Sequence, residues 1–518
     1  MLGRCHAVGL VGLQGHVVEV EADVAAGLPA FVLVGLPDAA LVEARDRVRA
    51  AAANAGCPLP ARRITVNLSP AALPKTGTGF DLAVAAALLA ASGAVPAESV
   101  AGWVHLGELG LDGRVRGVRG VLPAALACSR AGLTRLVVPR ANADEARLVP
   151  GLEVKPVRHL ADIVALHRGE PPPMLEGLVS DERAEQGGAT QPLPAGPVPD
   201  LADVVGQAEG RRALEVAAAG GHHLLLVGPP GAGKTMLAER LPGLLPDLTP
   251  EEALEVTAVQ SVAGTLEVTD RLRSRPPFEG PHHTTTVAAL VGGGSGLPRP
   301  GAASRSHRGV LFLDEAPEFS LRALEALRQP LEHGELVIHR AMGAARFPAR
   351  FQLVLAANPC PCGMASGKGD LCSCTPLARR RYLGRLSGPL LDRVDLQVEV
   401  QAVSRAQLTE AEAPEASAAV AARVSAARAA QRERFAGLSW VLNGEVPGAW
   451  LRGRWRLAPR VTRDLDVALD RGRLSIRGYD RVLRVAWSLS DLAGREAPGR
   501  DEVGQALALR CRGLTVAA

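Results

Sequence analysis

Residues Gly228 to Thr235 (Gly-Pro-Pro-Gly-Ala-Gly-Lys-Thr) follow the apolar run Leu224–Val227 and precede the helical stretch Met236–Leu241. Strand, glycine loop and helix in that order form a P-loop setting, which requires a parallel sheet with helical crossovers. The glycines let successive N–H groups turn inward around phosphate oxygens, and the helix points its positive end at them. Gly228, Pro229, Pro230, Gly231, Ala232 and Gly233 are therefore expected to cradle a nucleotide. Lys234 is expected to reach the β and γ phosphates of ATP, with the Thr235 hydroxyl on Mg2+. Of 58 basic residues only Lys75, Lys155, Lys234 and Lys368 are lysine, an arginine bias that reads as genome composition. A lysine where a compact ammonium is wanted against phosphate stands out on that background.

Downstream, the apolar run Val310–Leu313 ends in Asp314 and Glu315. Two carboxylates closing a buried strand need a reason. One is a helix N-cap; the other, given a P-loop upstream, is a Walker-B site in which Asp314 holds the magnesium shell and Glu315 orients the attacking water. A third strand, about Phe351 to Ala357, ends at Asn358, either a sensor of the γ phosphate or a turn-forming Asn before Pro359. Arg393 follows the apolar turn Gly388–Leu391. It is a candidate finger for a neighbouring subunit's phosphoryl group, or else the partner of Asp392 or Asp395 in a salt bridge.

The chain has 518 residues, 47 % hydrophobic and 22 % charged, enough for several buried cores. Eight cysteines in such a length do not make a secreted disulfide framework, and neither a signal peptide's apolar core nor an 18-residue apolar span occurs, so a cytoplasmic protein without membrane contact is expected. Residues 169–200, rich in Pro and acidic, read as a linker. Net charge is +3 for residues 1–168, −5 for 169–200, 0 for 201–400 and +6 for 401–518, so the overall +4 conceals a basic tail. Before the linker, β-branched runs such as Phe31–Val34 and Ile64–Asn67 alternate with Ala-rich helical stretches, Ala39–Ala55 and Phe80–Ala91, giving a multidomain α/β chain. From about Ser417 onward Ala, Arg and Leu at helical spacing predict a helical tail.

With these residues placed, the chain resembles a magnesium-chelatase-like AAA+ ATPase of the ComM/YifB family over nearly its whole length. The most specific stretches are Pro281-His282-His283-Thr284, Val291 to Ser295, Pro298 to Gly301, Gly309 to Glu315, and Asn358-Pro359-Cys360-Pro361-Cys362-Gly363. The resemblance implies an AAA+ core over 201–400 and a helical lid over 401–518, with Arg477 in Ser475–Arg481 as the sensor-2 arginine. It further implies a hexameric ring, pore-facing loops that include about Glu335 to Arg350, and a DNA helicase driving branch migration in natural transformation. Residues 1–168 resemble the Lon-protease (ribosomal S5 domain 2-like) α/β domain through Lys75 to Gly79, Gly107 to Val115 and Gly120 to Leu122. Gly79 stands where Lon carries its serine and Leu122 where it carries its lysine. A Ser-Lys dyad needs both groups, so no peptidase activity is expected.

Cys360, Cys362, Cys372 and Cys374 could close around one Zn2+ and brace the loop after Asn358, or remain free thiols. The pairs His222-His223 and His282-His283 are poor metal candidates, because adjacent strand residues face opposite ways. Arg340, Arg346 and Arg350, and the run Arg452, Arg454, Trp455, Arg456, Arg460, Arg463, could meet DNA or form solvated faces. Two functions compete: an ATP-driven DNA translocase, and a chelatase-type motor remodelling a protein. The Lon-like module favours the first, since a chelatase ATPase subunit is not expected to carry one.

Overall fold

A computed structural model of the chain describes residues 2–73, 75–174, 199–267, 272–294, 298–340, 343–365, 372–403 and 414–511. Most of the Pro-rich acidic stretch lies outside the described residues. Period-two alternation builds the first sheet: in β2 (Gln14–Ala25), Val18, Val20 and Ala22 are buried while Glu19, Glu21 and Asp23 turn toward solvent. It pairs antiparallel with β1 (Leu2–Val11), Cys5 opposite Val20. With β3 (Ala30–Val34), β4 (Arg63–Ser69), β5 (Trp103–His105), β8 (Arg135–Pro139) and β9 (Glu153–Val157) the order is β3-β4-β2-β1-β5-β8-β9, and β6 (Glu108–Leu109) and β7 (Val115–Arg116) form a small separate ladder. The helix Asp81–Ala91 is buried at every residue, as a helix apolar on all sides must be. The expected helix Ala39–Ala55 is two pieces, Ala39–Val42 and Ala44–Asn54, the first capped by Asp38 accepting from Leu41 N at 2.8 Å.

The second sheet is wholly parallel, in the order β11-β12-β15-β10-β16. Its strands are β10 (Leu224–Val227), β11 (Phe278–Glu279), β12 (Val310–Leu313), β15 (Gln352–Ala357) and β16 (Leu396–Glu399). All residues of β10, β12 and β15 are buried, as helices on both faces of a parallel sheet require. Between β12 and β15 an antiparallel hairpin, β13 (Glu335–Arg340) and β14 (Gly343–Pro348), stands apart from the sheet.

The tail is helical, as its spacing predicts: Ser417–Arg434, Gly448–Arg452, Pro459–Asp470, Ile476–Leu492 and Arg500–Cys511. One face of the parallel sheet shares its core with these helices, where Val424, Leu465, Val482 and Ala486 cluster with Leu214, Leu226 and Leu237. The first sheet's core likewise crosses to the part built on the parallel sheet. Ala258, on the helix Pro250–Ala263, packs with Val121 and Leu122, and Glu145 accepts hydrogen bonds from Ser261 Oγ and Leu122 N. Burial raises the Glu145 carboxyl above its usual range, opposed by those hydrogen bonds. The hairpin also reaches the first sheet, with Gly12 seated against the Arg346 backbone. Among the described residues no helix is long and apolar enough to cross a membrane.

Candidate nucleotide site

The three central strands of the parallel sheet carry the predicted chemistry at their carboxyl ends, where open α/β sheets bind ligands. Gly228 leaves β10 with its Cα against the Val400 carbonyl, so close that any Cβ would overlap that oxygen. Gly231 (φ 74°) and Gly233 (φ 90°) take the left-handed conformations that curl the loop, with open space beside each. The helix Lys234–Arg240 starts directly at the lysine.

Lys234 is buried, and its ammonium donates to Gly228 O at 2.7 Å, Pro229 O at 2.9 Å and Asn358 Oδ1 at 3.0 Å. Burial lowers its pKa, while the charges of Asp314 and Glu315 pull the other way. Thr235 Oγ1 donates to Asp314 Oδ2 at 2.7 Å, and the other carboxylate oxygen accepts from Glu315 N at 2.9 Å. Neither carboxylate side chain caps the short helix Ala316–Glu318, which removes the N-cap reading of this pair. Glu315 itself adopts φ 49°, a conformation that costs a non-glycine residue roughly 1–2 kcal/mol. A hydroxyl and a carboxylate in contact, beside a buried ammonium and open loop N–H groups, are the donor set that Mg2+ and a nucleotide triphosphate need. The residues present fit both.

Glu315 has a partner that its sequence neighbourhood does not reveal. His283 Nδ1 lies 3.2 Å from Glu315 Oε2, and the His283 ring packs on His282 at 4.0 Å between centroids. The only hint is the His282-His283-Thr284 triplet shortly after β11, the edge strand beside β12. The other histidine pair is structural. His222 joins Asp395 (3.1 Å) to Ser488 Oγ (2.7 Å), and His223 Nδ1 accepts from Leu353 N at 3.0 Å.

The two candidate arginines lie apart from these strand ends in hydrogen bonding. Arg393 is paired with Glu332 and donates to Pro389 O at 2.6 Å. Neither Asp392 nor Asp395, the salt-bridge partners offered as the alternative to the finger, holds it. Asp395 is taken by Arg481 and His222. Burial alone would raise the Asp395 pKa, but the Arg481 charge and the His222 hydrogen bond hold it far below the usual carboxylate range. Asp392 lies 3.8 Å from Arg477, whose side chain is 75 % exposed at the start of the helix Ile476–Leu492. Trp455 is no free stacking platform: its ring lies against Phe435 at 5.2 Å and near Trp450 and Trp487, while Arg452 is paired with Asp480. Arg346 is paired with Glu335 across the hairpin at 3.0 Å. Arg340 stands at the hairpin's end, opposite Gly343.

In the first sheet's part, positions 79 and 122 offer neither a hydroxyl nor an amine, Gly79 facing open space and Leu122 fully buried. Lys75 is buried and donates to Pro70 O. The four cysteines come together beside the P-loop, all their sulfurs within 4.8 Å of one another. Lys368 and Ser295 lie outside the described residues.

Three family descriptions match the chain: "Magnesium chelatase, subunit ChlI" over residues 200–408, "Subunit ChlI of Mg-chelatase" over 20–142, and "Magnesium chelatase, subunit ChlI C-terminal" over 414–510. An uncharacterised protein of Mycobacterium tuberculosis is 54 % identical over 99 % of both chains. The competence protein ComM of Haemophilus influenzae is 42 % identical over 96 % of both. The uncharacterised YifB of Escherichia coli is 41 % identical over 98 % of this chain and 97 % of its own. A stretch of 175 residues is 32 % identical to the Lon protease of Mycolicibacterium smegmatis, 22 % of that protein.

Proposed function

Since the chain belongs to the magnesium-chelatase-like ATPase family, with ComM and YifB among its full-length relatives, we propose that it is an ATP-hydrolysing AAA+ ring motor acting on DNA. The observation that carries this reading is the convergence of Lys234, Thr235, Asp314, Glu315 and Asn358 on adjacent strand ends. Loop N–H groups and Lys234 bind the phosphates, and Asn358, already bonded to that lysine, reports the γ position. Magnesium held by Thr235 and Asp314 would neutralise charge on the β and γ oxygens. Glu315 orients water for attack once it leaves His283.

In a homo-hexamer Arg393 would exchange Glu332 for the neighbouring subunit's phosphoryl group, and Arg477 on the C-terminal helical lid would meet the phosphates of its own chain. Full-length identity to a competence protein favours DNA, single-stranded or branched, and branch migration as the work done. The domains we assign are 1–168, a Lon-like scaffold without peptidase chemistry, the linker 169–200, the core 201–400 and the lid 401–518.

The test is the ATP hydrolysis rate with and without single-stranded DNA, alongside ATP-dependent migration of a synthetic four-way junction. Stimulation and migration are expected. Hydrolysis indifferent to DNA, with an unmoved junction, overturns the DNA reading in favour of a chelatase-type motor that remodels a protein.

A further inference from the structure

The polypeptide leaving Asn358 makes a tight turn, Gly363 N donating to Cys360 O at 3.0 Å, and brings Cys360 and Cys362 onto Cys372 and Cys374. The sulfur separations are 3.3 Å for Cys360–Cys362 and 3.6 Å for both Cys360–Cys372 and Cys362–Cys372. None of the four is in a disulfide. Four thiolates at about 2.3 Å from a tetrahedral zinc stand about 3.8 Å apart, so the sulfurs already trace that tetrahedron's edges to within an ångström. Four thiols gain little from one another otherwise, since each is a weak donor and a weak acceptor, and gathering four sulfurs around one point is what a shared cation accounts for. A multi-iron cluster would hold its ligand sulfurs farther apart, around a body of several atoms. The close spacing therefore selects a single ion, and soft tetrahedral sulfur ligation favours zinc among the divalent metals.

What the cluster touches gives it a role. Gly363 (φ 77°) lies so near the P-loop that a Cβ there would come within 2.5 Å of Pro230 Cδ. On the other side Cys374 adjoins Thr375, the N-cap of the helix Pro376–Leu383, whose hydroxyl accepts from Ala378 N at 3.2 Å. The cluster thus ties three things together: the end of β15 with Asn358, the outer wall of the P-loop, and a separate helix.

We propose that Cys360, Cys362, Cys372 and Cys374 bind one zinc ion, which clamps the Asn358 loop against the P-loop and so sets the position of the γ-phosphate sensor. The metal part stands on the sulfur geometry alone. The positioning part rests on the nucleotide reading above.

The experiment uses the full chain, purified without added metal and passed through a chelating column. Element analysis is expected to give about one zinc ion and no iron per chain, falling to below about a fifth in Cys362→Ser and Cys372→Ser. Cys57→Ser, outside the cluster, keeps the metal. Circular dichroism separates misfolding from metal loss. Should the serine variants fail to fold, zinc release from the parental protein by an organomercurial, titrated against a colorimetric chelator, gives the same stoichiometry. Loss of zinc is expected to lower the hydrolysis rate about tenfold or more while ATP still binds, and restoring the thiols and zinc recovers it. Parental protein free of zinc, with all four thiols reacting rapidly with a thiol reagent in the native state, overturns the site. Zinc present but without effect on turnover overturns the clamp alone, and a parental protein inert toward ATP defeats the nucleotide reading while leaving the metal count standing.

Discussion

Glu315 and His283 show how a side chain's role depends on what it touches. The carboxylate sits at the end of a buried strand with a left-handed backbone, and it lies against an imidazole from the segment after the neighbouring edge strand. On the proposed reading, Glu315 orients water only once it leaves that pair. Removing the imidazole in His283→Ala is expected to raise hydrolysis measured without DNA. A contact worth about 1 kcal/mol, the upper end for a partly exposed pair, converts to roughly fivefold in rate. A rate equal to the parental one would show that the pair does not restrain the carboxylate. The P-loop was legible because its chemistry is contiguous, and Asp314 because an apolar run leads into it. The His283–Glu315 and Arg393–Glu332 pairs were not, since each joins segments far apart in sequence and one carboxylate looks like another until the fold chooses.

Elements explain both what the strands predict and what they miss. Val310–Leu313 and, after Gln352, Leu353–Ala357 are apolar on both faces because helices cover the parallel sheet, and the strand ends fall within a residue of the boundaries read from sequence. β11 is only Phe278–Glu279, and β16 carries Gln397 among apolar neighbours, so neither pattern announces itself. Where the start of β10 meets β15, the half-buried His223 accepts from Leu353 N at 3.0 Å. Burial, with Asp395 partly opposing it, lowers the pKa of His223 from 6.5 to about 4. A base depressed in the folded state contributes stability in full above pH 6.5 and loses it as the pH falls through that value toward 4, because the unfolded chain takes the proton first. The shift corresponds to about 3 kcal/mol. His223→Asn keeps an acceptor but cannot titrate, so its melting temperature should fall less between pH 6.5 and 4 than the parental value does. Parallel curves would contradict this.

Across the whole molecule, the parts are joined by cores as well as by chain. Ala258 enters the core of the first sheet, and the C-terminal helices share theirs with one face of the second. Composition does not foretell such joints, because a residue that closes an inter-part contact is as apolar as one buried within a part. Family membership, by contrast, was readable, because the glycine, histidine and cysteine stretches occur together in order. A ring with shared sites makes a further demand: Arg393→Ala subunits mixed with Lys234→Ala subunits should recover part of the ATP turnover that each lacks alone, measured at constant total protein. No recovery at any ratio would place Arg393 in its own chain's chemistry or in none.

The most direct test of ATP hydrolysis at this site is turnover and ATP binding measured together on Glu315→Gln. The amide keeps the shape but cannot act as the water-orienting carboxylate. Binding near the parental affinity is expected, with turnover reduced roughly 100-fold or more. Turnover at the parental rate would contradict the assignment of Glu315, and with it the account of this site.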